Sequence, residues 1–266
     1  MDPTVNLVPL SFDRHAGLRV RPITGYQFAG NSALVSLYGT ELFRAAHEFP
    51  IAFSPEADGY FPAALLGTRP EQNVFVDAQG RWLSSYVPAL WRRGAFRLAR
   101  IEDRDEMALC VDGDSPLLSR SEGEPLFDAE GRPSPFITRV GQFLAGLEAD
   151  RTATLAACAA LDRCGVLKPW DLQVRKPDGS MQKIGGLFIV DETRLAALSG
   201  DDLAALLACR ALPIAYAQLF SLHKLPLLGQ LAALRDGEAQ KKKELADGTL
   251  DLDKIFGIVE DDPFVF

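Results

Sequence analysis

The chain has 266 residues, of which 47% are hydrophobic and 24% charged, with a formal net charge of −8. That is enough apolar material for one large or two smaller packed cores and an ordinary charge content, so a disordered chain is excluded. The acidic balance also argues against a general nucleic-acid binder, which needs a clustered excess of Lys and Arg. Lys241 to Lys243 are followed by Glu244 and Asp247 and read as a solvated helix face, and Trp91-Arg92-Arg93 is too short to be a basic patch.

In chain order, Val5–Leu10 and Leu18–Arg21 read as short extended pieces, followed by the apolar run Ala33–Tyr38. Thr40 is placed to cap a short helix ending at His47, because Pro50 disfavours helical geometry at Phe49; Ile51–Phe53 then reads as a strand. From 59 to 128 the pattern is a meander of strands separated by Asp/Gly turns, with Asn73–Asp77, Met107–Asp112 and Pro125–Asp128 each running into a turn. VDAQGRW and FDAEGRP look alike, and shared turn chemistry explains them better than a repeat does. Ser134 or Thr138 opens a long helix through about Cys164, with Gly165 as its stop. A hairpin follows, Leu172–Arg175 and Met181–Val190, joined across Lys176–Ser180. Beyond Val190 the pattern is helical: Asp191, then Ser199 or Asp201, act as caps, and a longer helical pattern over Leu212–Leu234 is broken at Pro226.

These elements predict an α+β fold in which a mostly antiparallel sheet packs against a long central helix and C-terminal helices. Residues 1–235 are expected to form a single integrated domain, with 236–266 as a helix end and an acidic, apolar-ended tail. The N-terminus lacks the basic start and apolar run of a secretion signal, and no run of about 18 apolar residues predicts a membrane span. The four cysteines, at 110, 158, 164 and 209, have neither metal-site spacing nor the density of a disulfide scaffold, and Cys158 and Cys164 face different sides of one helix. A reducing, cytoplasmic location is the default.

Candidate chemistry is sparse. The only imidazoles, His15, His47 and His223, show no HxH, HxxxH or HxD spacing, so no metal site is expected. They are the weak catalytic candidates. In HEFPIAF, His47 and Glu48 are helix neighbours that do not face each other, which makes His47 a helix end where a cation favours the dipole. No nucleophile elbow, P-loop or dinucleotide fingerprint is present, and no cofactor is expected. The better signal is aromatic: Tyr60, Phe61, Trp82, Tyr86, Trp91 and Phe96 crowd one region, and with Arg92 they make a binding surface for peptide, protein or glycan as the alternative to plain core packing.

Several stretches occur in the order in which one family carries them: VPLSFDRHAGLRV, ELFRAAHEFPIAFSPE, FPAALLG, NVFVDAQGRW, YVPALWRRGAFRLA, PLFDAEGRPSPFI, GLFIVDE and IAYAQLFSL, over about residues 5–235. On them the chain resembles the SapC family of bacterial proteins, named for a member associated with a surface layer. The family has no agreed catalytic motif, so the resemblance implies a setting rather than a reaction. That setting is a non-catalytic binding or assembly factor linked to the cell surface. The alternative, drawn from family members encoded near outer-membrane receptors and halogenase-like proteins, is an enzyme or enzyme partner in peptide or amino-acid modification. In AYAQLFSLHKL, relatives are expected to carry His and Asn where this chain has Gln218 and His223. The ending DDPFVF is similar to uncleaved C-terminal signals of type I secreted proteins, which implies export without an N-terminal signal as the alternative location. The other use of such a tail is packing on its own chain or on a neighbouring subunit, as in a homo-oligomer.

Overall fold

A computed structural model of the chain describes residues 6–100, 106–175 and 180–246. In chain order these form β1 (Leu7–Pro9), α1 (Phe12–His15), β2 (Arg19–Val20), β3 (Leu34–Ser36), α2 (Leu42–Ala46), β4 (Ile51–Glu56), β5 (Gly59–Leu65), α3 (Ala89–Arg92), β6 (Phe96–Arg100), β7 (Met107–Asp112), β8 (Leu118–Ser119), β9 (Glu124–Pro125), α4 (Pro135–Arg163), β10 (Leu167–Pro169), β11 (Leu172–Arg175), β12 (Met181–Ile184), β13 (Phe188–Val190), α5 (Glu192–Ala196), α6 (Gly200–Ala208), α7 (Ala211–Ser221) and α8 (Leu225–Ala246). The fold is α+β. The acidic tail from Asp247 and the hairpin turn 176–179 lie outside the described residues. No single helix among the described residues is long and apolar enough to cross a membrane.

The principal sheet has five strands in the order β10-β13-β4-β5-β3, and every pairing in it is antiparallel. β4 is apolar through Phe53 because both of its faces are covered, and it turns back into β5 across Ala57–Gly59, where Gly59 takes a φ of 124°. Two three-stranded sheets, β1-β7-β6 and β8-β2-β9, gather the N-terminal segment against the meander. α4 spans both regions. Its C-terminal half sends Ala157, Cys158 and Leu161 into the large core beneath the principal sheet, and its N-terminal half sends Ile137 and Leu144 into a second core with Phe96, Val111 and Leu126.

Local chemistry sets the ends of α4 as the sequence predicts. Ser134 caps it by accepting from the Ile137 N–H at 3.2 Å, Pro135 occupies the first turn, and Gly165 follows the helix with a φ of 65°. Burial of the Cys158 thiol in α4 pushes it up to about 12, with the Glu56 charge adding to the effect.

Elsewhere the structure departs from the sequence reading. Asn73–Asp77 makes only the isolated bridge Val76↔Trp82, because the Asn73 side chain accepts from the Phe75 N–H and donates to the Ala29 carbonyl, turning the backbone out of a ladder. Residues 89–92, which fall between the expected strands, form a helical turn. Thr40 does not cap α2; its hydroxyl donates to the Asp150 carboxylate. The expected strand Met181–Val190 breaks at Gly185-Gly186, where Gly186 takes a φ of 80° and sends β12 to pair with β11 and β13 into the principal sheet.

β13 and β4 meet only at Phe188↔Phe53 and then diverge. Two side chains of α7 fill the gap. Gln218 accepts from the Val190 N–H at 3.0 Å and donates to the Ile51 carbonyl at 3.2 Å, and Ser221 accepts from the Ile51 N–H at 2.8 Å. Both side chains are fully buried, so Gln218 is a structural group, whereas His223 lies exposed at the surface. Gln218→Leu strands a buried N–H and a buried C=O and is expected to cost about 2–5 kcal/mol in urea unfolding. A loss below about 1 kcal/mol would show that the sheet does not depend on the clamp.

Candidate functional site

The candidate site is built on the strap from Trp82 to Arg93, which follows the turn Asp77–Arg81. Asp77 shapes that turn by accepting from the N–H groups of Gln79 at 2.9 Å and Arg81 at 2.8 Å, while the Arg81 guanidinium returns to it at 2.5 Å. Asp128 repeats the arrangement with the N–H groups of Glu130 and Arg132, and Gly80 and Gly131 take φ of 79° and 78° in the corresponding places. The likeness of VDAQGRW and FDAEGRP is therefore one of turn geometry.

Two glutamates at either end of α2 pin the strap. Glu48 accepts from Ser84 Oγ at 2.8 Å and Ser85 Oγ at 2.6 Å. Burial pushes its carboxyl up, but the hydrogen bonds from Ser85 and Ser84 and the charge of Lys224 outweigh burial and hold it below the usual range. Glu41 is buried and accepts from the Tyr86 hydroxyl at 2.5 Å, the Ala89 N–H at 2.8 Å and the Tyr38 N–H at 2.8 Å. Here burial wins over the donors Tyr86, Tyr38 and Ala89 and over the Arg92 charge, and the carboxyl titrates above its ordinary range. The Tyr86 phenol is raised in turn, by burial first and then by its bond to Glu41.

Pinned in this way, the strap packs an aromatic cluster against the large core, with Trp91 buried and Trp82 and Tyr86 half-buried. Trp82 donates from Nε1 to the Tyr86 carbonyl at 2.8 Å, and its ring lies 5.2 Å from Trp91, 5.8 Å from Phe49 and 5.8 Å from Tyr26. The exposed Phe28 ring meets Trp91 edge-on at 6.3 Å. The Arg92 guanidinium stands 5.6 Å from the Tyr86 ring centre and 5.5 Å from that of Phe143, with Nη2 donating to the Tyr86 hydroxyl at 3.3 Å. Beside it opens a cleft of about 430 Å³ with apolar walls from Ile23, Tyr26, Phe96, Phe136 and Val140, and Arg21, Arg92 and Arg93 at its lining. Arg21 donates to the Pro116 carbonyl at 2.5 Å and lies 4.0 Å from Glu122. Among the described residues, Arg92 forms no ion pair with a carboxylate.

Of the sequence-predicted surface, Trp82, Tyr86, Trp91 and Arg92 come together. Tyr60 and Phe61 do not join them, because successive β5 residues point to opposite faces: Tyr60 packs on Phe188 at 4.7 Å, and Phe61 is buried against Tyr38 at 6.0 Å. The three imidazoles sit apart from the cleft. His15 is buried with Nδ1 3.0 Å from the Ser11 carbonyl, His47 is the exposed end of α2, and His223 is exposed with Nδ1 against the Phe220 carbonyl. Among the described residues no three His, Cys, Asp or Glu side chains are grouped to hold a metal ion. Sequence reasoning missed Glu41, Tyr26, Phe28 and Phe143. The one signal for Glu41 is its place three residues after Tyr38, the spacing of a capping box, which the Tyr38 N–H to Glu41 bond realises.

The pH dependence of stability follows from Glu41. An unfolded carboxyl gives up its proton at the ordinary value while the buried one keeps it, so the stability Glu41 contributes is full below the ordinary value and is lost as pH rises through the raised one. Glu41→Gln cannot titrate and turns an amide N–H₂ toward one of the donors. It is expected to be less stable than the parent by about 1–3 kcal/mol at about pH 4, with the gap narrowing toward about pH 8. Urea unfolding across that range would show a pH-independent gap if the carboxyl is not held up by burial.

A family model described as SapC matches residues 10–228 of the chain. No curated protein and no solved structure matches it.

Proposed function

The chain belongs to the SapC family, and from that premise we propose that it is a binding protein that holds an aromatic or apolar ligand carrying a carboxylate, of the kind a peptide presents, in the cleft beside Arg92. The observation that carries this reading is the Arg92 guanidinium: two rings position it at an apolar cleft, and among the described residues no ion pair to a carboxylate occupies it. A guanidinium offers a planar fork to a carboxylate, and its weak hydration lets it sit against aromatic faces while doing so. In the cleft lining, the half-buried Tyr26 and Phe136 rings supply area for an aromatic group with little loss of side-chain freedom, and Trp82 and Trp91 back Tyr26 from the core.

The rival reading, a modifying enzyme using His15, His47 or His223, draws no support from this cleft, since none of the three lines it. The surface-layer setting attached to the family name is part of the proposal, with peptide or protein as the partner.

N-acetyl-phenylalanine and its C-terminal amide are the probes. Titration followed by tryptophan fluorescence is expected to show the carboxylate shifting the signal of Trp82 and Trp91, the amide binding at least about tenfold more weakly, and Arg92→Ala removing that difference, since a charged hydrogen bond is worth about 1.5–3 kcal/mol. Arg92 is exposed, so its replacement leaves the fold intact. Equal responses to acid and amide in the parent protein would refute the reading.

A further inference from the structure

The helical side of the molecule carries an apolar face that the cleft does not explain. Phe43 of α2 is 60% exposed, Leu207 of α6 62%, and Tyr216 and Phe220 of α7 46% and 69%. Phe43, Leu207, Arg210 and Pro213 line one groove of about 360 Å³. Pro213, Tyr216 and Phe220 recur at helical spacing along one side of α7, and the rings of the last two lie 6.4 Å apart, so the groove continues into a ridge. Four large side chains this exposed on adjoining helices exceed the scattered apolar residues of an ordinary surface.

Cations surround the face. Arg44 follows Phe43 on α2, Arg210 lines the groove, and Lys224 stands one turn beyond Phe220. Two carboxylates stand on this side: Asp150, which lines the groove and accepts from the Thr40 N–H and hydroxyl, and Glu48, which accepts from Ser84 and Ser85 and feels the Lys224 charge. Three cations against two carboxylates leave this face apolar with a small positive balance, in a chain of net charge −8.

The segment after α8 has the complementary character. Residues 247–266, DGTLDLDKIFGIVEDDPFVF, hold six acidic residues against one lysine, interleaved with leucine, isoleucine, valine and phenylalanine. Its reach also fits. α8 begins at Leu225, directly after Lys224 at the edge of the face, and its 22 residues end about 33 Å away at the helical rise of 1.5 Å. An extended chain covers that distance in about ten residues. Residues 247–256 therefore suffice for the return, which brings Gly257 to Phe266 over the face.

We propose that the segment Gly257–Phe266 docks across this face of its own chain, with Phe264 and Phe266 on the groove and ridge made by Phe43, Leu207, Pro213, Tyr216 and Phe220, and Glu260, Asp261 and Asp262 against Arg44, Arg210 and Lys224. The face is thus an intramolecular seat for an acidic, phenylalanine-bearing segment, and it is separate from the Arg92 cleft.

Hydrogen exchange of the full chain, read by mass spectrometry on peptides from 257–266, tests this. The parent protein is expected to exchange there at least about tenfold more slowly than Phe220→Asp, and than a Glu260→Lys, Asp261→Lys, Asp262→Lys variant, with the protection unchanged between about 1 and 100 µM protein. Because Phe220 is exposed, its replacement spares the core, and unaltered exchange of α4 amides verifies that the fold is intact. Equal exchange in the parent and Phe220→Asp overturns the proposal. Protection that grows with concentration together with a dimer mass overturns it too, by assigning the face to a second copy.

Discussion

The arrangement depends on one requirement: Ile51 and Val190, where β4 and β13 part, carry buried backbone groups that no strand reaches. Buried N–H and C=O groups left unpaired cost more than a typical hydrogen bond returns, so a fold with a splayed sheet needs a substitute. Gln218 and Ser221 are that substitute. An amide side chain presents a carbonyl and an N–H₂ as a peptide does, and Gln218 uses one for the Val190 N–H and the other for the Ile51 carbonyl. Since both side chains project from α7, the pairing fixes α7 against the sheet. α2, which packs beside α7 and runs through His47 into Ile51, is fixed with it. The placement of Glu41 and Glu48 at the ends of α2 is thus a consequence of pairing made in the principal sheet.

The same requirement then operates in reverse at the strap. A buried carboxylate is expensive unless donors converge on it, and Glu41 draws the Tyr86 hydroxyl and the Ala89 N–H from a segment more than forty residues away in sequence. Glu48 holds Ser84 and Ser85 from the other end of the helix. A stretch with only one helical turn of regular structure is thereby given fixed geometry, and the rings of Trp82, Tyr86 and Trp91 and the Arg92 guanidinium inherit it. Pre-positioned rings and a pre-positioned cation have little conformational freedom left to lose, which is the property the proposed binding role draws on.

What was legible in the sequence is what local chemistry decides. Ser134, Pro135 and Gly165 mark the ends of α4 because capping and positive φ act within one turn, and the two Asp-Ala-x-Gly-Arg turns declare themselves because each Asp bonds its own downstream backbone. The failures lie where partners are remote. Asn73–Asp77 has the composition of a strand, yet the Asn73 side chain engages Ala29; Met181–Val190 reads as one strand, yet Gly185-Gly186 divides it between sheets. For the site, aromatic crowding located the strap and Arg92 but not the alternation of β5 that separates Tyr60 from Phe61. Glu41 was invisible for a further reason: many glutamates dot the sequence, and which one is buried is decided by donors brought from Tyr86 and Ala89.

The electrostatics of the cleft are local, and this reconciles an arginine-lined site with an acidic chain. At physiological salt, charges more than about 8 Å apart in solvent are largely screened, so the excess of carboxylates elsewhere on the surface does little to the potential at Arg92. What acts there is the immediate shell. The Tyr86 phenol stands between Arg92 and Glu41, donating to the carboxyl and accepting from the guanidinium, so the cation meets a neutral hydroxyl instead of an anion. Burial disfavours the charged form of Glu41, which further weakens its pull on Arg92. A positive centre is thereby kept beside an apolar wall within a chain of net charge −8, because the carboxyl closest to it in the hydrogen-bond network is occupied in holding the strap.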